Sequence, residues 1–318
     1  MAADGTPLGA RSGDTPPLDN DTPALSRRVF LGGCGLPAAW SGRPQWRILE
    51  TGFGPGLHFL TTWQAWRADP HRPRLLHYVA VDAHPAPASD LLRASEADLA
   101  LAPLAEELAR QWSGLLPGFH RLAFDDGRVL LTLCVGELQP MLRAQRFEAD
   151  SLFLDGFGPA TALPDTLKAV SRFARQGTGL AARTDDDGVR HALMQNGFQL
   201  DPGPGLRGTF APAWTVRRRQ LVREGVDAPG HCAVIGAGLA GAAIAASLAR
   251  RGWRVTVLDA ADTPASGASG LPVGLLAPHV SSDDALLSRL TRAGIRATWT
   301  ELAQRLDPGR DWGAHGSL

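Results

Sequence analysis

The sequence predicts an α/β protein made of two consecutive Rossmann-like units, the second of them partial. Three observations carry that reading. Glycine-rich turns follow short apolar runs at two places, Gly52-Phe53-Gly54-Pro55-Gly56 and Gly236-Ala237-Gly238-Leu239-Ala240-Gly241. Each turn is followed by a helical stretch and then by a second apolar run that ends in an acid, Asp82 in one case and Asp259 in the other. Between them, further apolar runs alternate with helix-like segments, the pattern of strands in a sheet covered on both faces.

The elements follow in chain order. Residues 1–26 are rich in Gly, Pro, Asp and Thr without apolar periodicity, which predicts a mobile leader. Ile48-Leu49 ends a first strand and Tyr78-Val79-Ala80-Val81-Asp82 forms a second, with the turn and a helix between them. Strands are expected again over Val129 to Val135 and Ser151 to Asp155, with helices near 98–112, 161–175 and 187–196. This alternation predicts a parallel, doubly wound sheet over residues 29–222. Residues 223–230, with Asp227-Ala228-Pro229-Gly230, read as a linker. A second unit opens at His231 with the strand Cys232-Ala233-Val234-Ile235, a helix from about Ala240 to Arg251 and the strand Arg254 to Leu258, and runs to residue 318.

Composition excludes several classes. The 318 residues are 44% hydrophobic and 20% charged, with room for about two globular domains. Lys+Arg and Asp+Glu both total 32, so any nucleic-acid contact has to come from a local basic patch. Cys34, Cys134 and Cys232 lack paired spacing and read as free thiols in a reducing compartment, and the nine histidines show no metal-site spacing. Ser26-Arg27-Arg28-Val29-Phe30-Leu31 imitates an export signal, but it lacks the roughly 7–15-residue apolar stretch such a signal needs. No window approaches the roughly 18 uninterrupted apolar residues of a membrane span. A cytoplasmic protein is expected.

The two turns ask for different ligands. Gly236, Gly238 and Gly241 form GxGxxG between strand and helix, with Asp259 about twenty residues on. The first two glycines admit a pyrophosphate to the helix N-terminus, the third lets helix pack on strand, and the carboxylate accepts from ribose hydroxyls. FAD or a nicotinamide dinucleotide fits that arrangement. In the first turn, Glu50 precedes Gly52, Gly54 and Gly56 with a different spacing. That suits S-adenosylmethionine, which has no pyrophosphate and whose sulfonium and ammonium groups favour nearby acids. Asp82 is placed for the ribose.

In wording, the chain resembles the bacterial bifunctional tRNA 5-methylaminomethyl-2-thiouridine biosynthesis family. The matching phrases are Val29-Phe30-Leu31 with Gly35-Leu36-Pro37, Ile48 to Trp63, Phe153-Leu154-Asp155-Gly156-Phe157 with Pro159, Val234 to Gly241, and Pro264 to Pro278. The resemblance implies an S-adenosylmethionine-dependent methyltransferase domain that methylates the amine of 5-aminomethyl-2-thiouridine in tRNA. A Rossmann-type FAD-binding oxidoreductase domain follows, which removes a carboxymethyl group. By position it implies that Glu50, Gly52, Gly54, Gly56, Asp82 and Glu137 line the methyl-donor site. Asp155 is then the candidate catalytic carboxylate, with helix capping or ribose binding as its alternative. Phe157 stacks on the target base or packs in the core. Arg217 to Arg223 contacts tRNA phosphates or forms a solvated face. His58, Trp63 and Trp66 lie on the helix after the turn, the tryptophans as packing residues.

Two departures from the family pattern stand out. Pro55 and His58 replace the family's Thr and Asn in the first turn, and no Asn-Pro follows the Asp155 phrase. The FAD domain is expected to be incomplete, which leaves apolar faces of the second unit uncovered and the oxidase activity impaired. Two other classes are weighed beside the methyltransferase: a tRNA-binding protein without turnover, and a flavin or nicotinamide oxidoreductase resting on Gly236 to Asp259.

Overall fold

A computed structural model describes residues 22–156, 164–203, 205–215 and 228–313. Phe157, Pro159, Arg217 to Arg223 and most of the expected leader lie outside the described residues. The described chain already begins in structure. Thr22 caps helix α1 (Pro23–Ser26) by accepting from the backbone N–H of Leu25 at 3.2 Å, and a π-turn over Arg27–Leu31 buries Phe30 and Leu31. This segment belongs to the first unit, ahead of the Val29 boundary that the sequence suggests.

The remaining elements of the first unit are β1 (Gln45–Glu50), α2 (Leu57–Ala68), β2 (Leu75–Asp82), α3 (Ala88–Ser95), α4 (Ala102–Arg110), β3 (Gly118–Phe124), β4 (Val129–Val135), α5 (Leu138–Arg143), β5 (Ala149–Leu154), α6 (Pro164–Ser171), β6 (Ala174–Ala182), α7 (Asp187–Gln195), β7 (Phe198–Leu200) and β8 (Leu206–Phe210). They build one eight-stranded sheet in the order β3-β4-β2-β1-β5-β6-β8-β7. The centre, β4-β2-β1-β5-β6, is parallel as expected. The expectation of a parallel sheet fails at both margins, where β3, β7 and β8 pair antiparallel. Hairpin pairing needs only a tight turn, and Asp125, Asp126 and Gly127 supply it with φ of 49°, 56° and 77°.

Alternation along the central strands fills two cores. Ile48, Tyr78, Leu131 and Phe153 enter one, and Leu49, Val79, Cys134 and Leu152 the other. Trp63 and Trp66 pack as expected, at 0% and 1% exposure. The Trp63 ring lies against Phe59 and Phe124 at 5.6 and 4.6 Å between centroids, and its indole N–H donates to Asp125. Trp63→Ala is expected to cost about 3–5 kcal/mol, lost transfer energy plus a cavity that these rigid rings cannot refill. The urea unfolding midpoint of the first unit measures it.

The second unit contains β9 (His231–Ile235), α8 (Leu239–Arg250), β10 (Arg254–Leu258) and α9 (Leu286–Arg305). Its strands form a separate two-stranded parallel sheet. In this unit Ile235 is 89% exposed, Leu239 75% and Leu275 93%, and among the strand side chains only Val234 is buried.

Candidate active site

Strand β1 lies between β2 and β5. The chain winds outward from β1 to β2 and β4, then crosses back to β5 on the other side, which opens a crevice beyond the C-terminal end of β1. Glu50, Asp82 and Asp155 stand at the ends of β1, β2 and β5, so topology alone brings these three predicted acids together.

The glycine turn is the crevice floor. A Cβ at Gly52 would meet the carbonyl oxygen of Asp155 at 3.1 Å, so the first glycine eases the close approach of β1 and β5. Gly54 and Gly56 take φ of 51° and 75°, the left-handed region that side chains disfavour. Beside Gly54 a Cβ would meet nothing within 4 Å, which leaves backbone open to a ligand. Asp82 fastens the turn: its carboxylate accepts from the N–H of Gly54 at 3.0 Å and of His84 at 2.8 Å. Burial raises the Asp82 pKa, against the opposing pull of these backbone donors. Two accepted bonds leave lone pairs on that carboxylate for a ribose. Gly136 N–H donates to the Asp82 carbonyl at 3.0 Å, which brings the exposed Glu137 alongside. An open backbone cradle with Asp82 and Glu137 beside it fits a cationic nucleoside donor such as S-adenosylmethionine.

Asp155 is held from three sides. The Thr51 hydroxyl donates to its carbonyl at 2.9 Å and accepts from its N–H at 3.1 Å, which fixes the backbone. One carboxylate oxygen lies 3.1 Å from His58 Nε2, and the other accepts from Arg183 Nε at 3.2 Å. His58 is buried, and its Nδ1 meets Ser26 Oγ at 2.9 Å, which in turn meets Thr61 Oγ1 at 2.7 Å. Burial pushes the Asp155 carboxyl up, but the His58 hydrogen bond and charge and the Arg183 guanidinium outweigh it and hold the pKa below the usual carboxylate range. Asp155 is therefore an ionised, oriented carboxylate in a largely dry site.

Glu50 is fully buried, 4.0 Å from His58 Nε2, and it faces Tyr78, whose hydroxyl is pushed far up by burial and then by the Glu50 charge. Sequence reasoning missed Thr51 and Arg183 as parts of the site and read His58 only as a departure from the family. Its place two residues after Gly56, in the first turn of α2, was the available signal. Arg183 follows a strand with no motif.

The second turn forms separately. Gly236, with φ 100°, donates to the Leu258 carbonyl at 2.7 Å, and Asp259 accepts from the N–H of Ala237 at 2.6 Å. These backbone donors hold the exposed Asp259 carboxyl below its ordinary pKa. Gly238 starts α8, where Ser269 Oγ accepts from Leu239 N–H at 3.0 Å. A Cβ at Gly241 would stand 1.8 Å from the Gly236 carbonyl oxygen, the helix-to-turn contact the fingerprint requires. This turn fits the diphosphate and ribose of a dinucleotide.

Fold and sites together fit an S-adenosylmethionine-binding Rossmann-like domain followed by an FAD-type dinucleotide-binding unit. Residues 100–221 match the family described as S-adenosyl-L-methionine-dependent methyltransferase, and residues 231–318 the family described as FAD dependent oxidoreductase. The resemblance read in the sequence holds along the chain. It is 56% identical to the tRNA 5-methylaminomethyl-2-thiouridine biosynthesis bifunctional protein MnmC of Polaromonas sp. strain JS666, over 99% of this chain and 52% of that one. The Cupriavidus necator protein of the same name is 43% identical over 99% of this chain and 50% of that one. The chain spans about half the length of the curated relatives it matches. A crystal structure of MnmC2 from Aquifex aeolicus has 17% identity and a TM-score of 0.47, covering 60% of this chain and 61% of that one. Among the described residues, no helix is long and apolar enough to cross a membrane.

Proposed function

We propose that this chain transfers a methyl group from S-adenosylmethionine to the primary amine of 5-aminomethyl-2-thiouridine in tRNA, giving 5-methylaminomethyl-2-thiouridine. The observation that carries it is the half-buried Asp155 carboxylate, held ionised by His58 and Arg183 beside an open glycine cradle. When bound, S-adenosylmethionine supplies an electrophilic methyl on a sulfonium. The substrate amine attacks it as the neutral base, so the N–C bond forms as the S–C bond breaks. Asp155 orients the amine by accepting one N–H and takes the proton that the methylated nitrogen must lose. Glu50 and Asp82 keep the crevice negative toward the cationic donor, and Gly54 leaves room for its backbone contacts. For the second unit the proposal is limited to binding the diphosphate and ribose of FAD at Gly236, Gly238, Gly241 and Asp259. Labelled-methyl incorporation into tRNA bearing the free amine tests the reading, and folded protein that binds the donor without transferring methyl refutes it.

His58→Asn is expected to move the acid limb of kcat/KM to higher pH. The substitution removes the hydrogen bond and positive charge that depress the Asp155 pKa, so the carboxylate protonates at a higher pH than in the wild type. Stability moves in the same sense. A carboxyl with a depressed folded pKa contributes stability above its unfolded value of about 3.9, and that contribution is lost as pH falls through the folded value. The variant should retain less of this contribution above that value, seen as a thermal midpoint gap from wild type that narrows in acid. A pH–rate profile identical to wild type would remove His58 from the site.

A further inference from the structure

On the face of the sheet away from α2, a cleft of about 470 Å³ is lined by Arg47 of β1, His77 of β2, Arg121 of β3 and Arg146 from the loop before β5, with Thr132 and Phe119 between them. Strand register explains the convergence: Arg47 pairs with His77, and Thr132 with Arg121, so these side chains project from neighbouring strands onto one face. Arg251, at the end of α8, adds a further cation close enough to act on His77 and Arg121.

The cleft is cationic without compensation. No carboxylate among the described residues stands in its lining. Among the described residues, none of Arg47, Arg121, Arg146 and Arg251 is ion-paired to a carboxylate, whereas the neighbouring Asp150 is engaged by the Arg47 backbone N–H at 2.8 Å and by Arg175. Arg47 Nη1 makes only a long contact, 3.5 Å, to the Glu148 carbonyl. Burial, and after it the charges of Arg121, Arg47 and Arg251, push the His77 pKa down to about 4. In a chain whose charges cancel at 32 against 32, such a local concentration calls for an anionic ligand.

We propose that this cleft is a phosphate-binding surface for the backbone of the substrate RNA, with Arg47, Arg121 and Arg146 as its contacts. The proposal rests on the tRNA reading above and deepens it. Arg47 lies three residues before Glu50 on β1 and His77 five before Asp82 on β2, so the cleft lies on the opposite face of the sheet from those acids, roughly 10–16 Å from the crevice measured along the strands. An RNA with one base in the crevice carries its flanking phosphates past these arginines, whose planar donors match phosphate oxygens bidentately.

The test is fluorescence anisotropy of a labelled tRNA transcript at several salt concentrations, on wild type, Arg121→Gln/Arg146→Gln, and Arg93→Gln as an exposed control on α3. For the double variant we expect roughly tenfold weaker binding near physiological salt and a slope of log K against log salt reduced by about 2. Donor binding by calorimetry should stay at the wild-type value in all three proteins, and Arg93→Gln should match wild type throughout. A double variant with wild-type affinity and slope overturns the cleft while leaving the methyltransferase reading intact. Wild-type protein that binds S-adenosylmethionine but no tRNA overturns both. Adding inorganic pyrophosphate distinguishes a small-anion site: displacement of tRNA at micromolar pyrophosphate, lost in the double variant, would reassign the cleft to a free phosphate ligand and overturn the RNA contact.

Discussion

Asp155→Ala should lower kcat for methyl transfer by roughly 10²–10⁴-fold, the range removed with a positioned general base, while S-adenosylmethionine affinity stays within a few-fold of wild type. The separation of the two effects follows from the geometry. The donor cradle is formed by backbone at Gly52 to Gly56 and fastened by Asp82, and neither depends on the Asp155 side chain. The Asp155 backbone remains tied through Thr51. The carboxylate, by contrast, is the partner of both His58 and Arg183, so its removal leaves the buried His58 imidazole without this partner. That orphaning is expected to cost about 1–3 kcal/mol of stability. Asp155→Asn separates the causes: it keeps an acceptor and the shape, so stability should largely recover, but it cannot take a proton, so transfer should stay low. Single-turnover transfer, calorimetric donor binding and thermal midpoints on the three proteins decide it. An Asp155→Ala protein that transfers methyl within about threefold of wild type would return Asp155 to a structural role.

How far the sequence disclosed this site depends on what each residue does. Residues whose role is backbone geometry were legible: Gly241 sits where the chain could not pass with a Cβ and Gly52 where one would be tight, and their spacing after an apolar run announces it. So were the acids at strand ends, because Glu50, Asp82, Asp155 and Asp259 close runs of β-forming residues. Strands β1, β2, β4 and β5 were visible because burial on both faces makes them nearly continuous apolar runs. Strand β6 was not, since Ala174–Ala182 carries two glycines and a polar first half. The hairpin into β3 had a signal in Asp125-Asp126-Gly127 that a search for βαβ alternation passed over. Arg183 and Ser26 escaped for a different reason. Their value lies in what they touch across 28 and 32 residues of separation, and a single sequence does not encode that pairing locally. The cationic cleft is likewise a product of register between β1, β2 and β3, invisible in a chain with no net charge.

Gly241→Ala should unravel the second unit while leaving the first intact. The new methyl would stand 1.8 Å from the Gly236 carbonyl oxygen and 2.9 Å from its carbon, and both are backbone atoms. Relief by rotating a side chain is therefore impossible. Moving the carbonyl means moving Gly236, whose N–H is bonded to the Leu258 carbonyl at 2.7 Å and whose φ of 100° already sets the turn. Lifting α8 instead separates Gly241 from Val234, the one buried strand side chain of this unit. The cost exceeds the ~1–3 kcal/mol of ordinary overpacking, and a two-stranded sheet has little reserve against it. Gly274→Ala is the matched comparison, the same chemical change where a Cβ meets nothing within 4 Å, and it should be neutral. Limited proteolysis should cut within residues 231–258 at least about tenfold faster in Gly241→Ala, because cleavage tracks the open population and each 1.4 kcal/mol raises it tenfold. The eight-stranded sheet shares no strand pairing with β9 and β10, so donor binding and methyl transfer should persist. If protection of this segment is unchanged, the helix and turn do not meet at Gly241 and the dinucleotide fingerprint is not folded as such. If methyl transfer falls with it, the two units support each other in ways their separate sheets do not require.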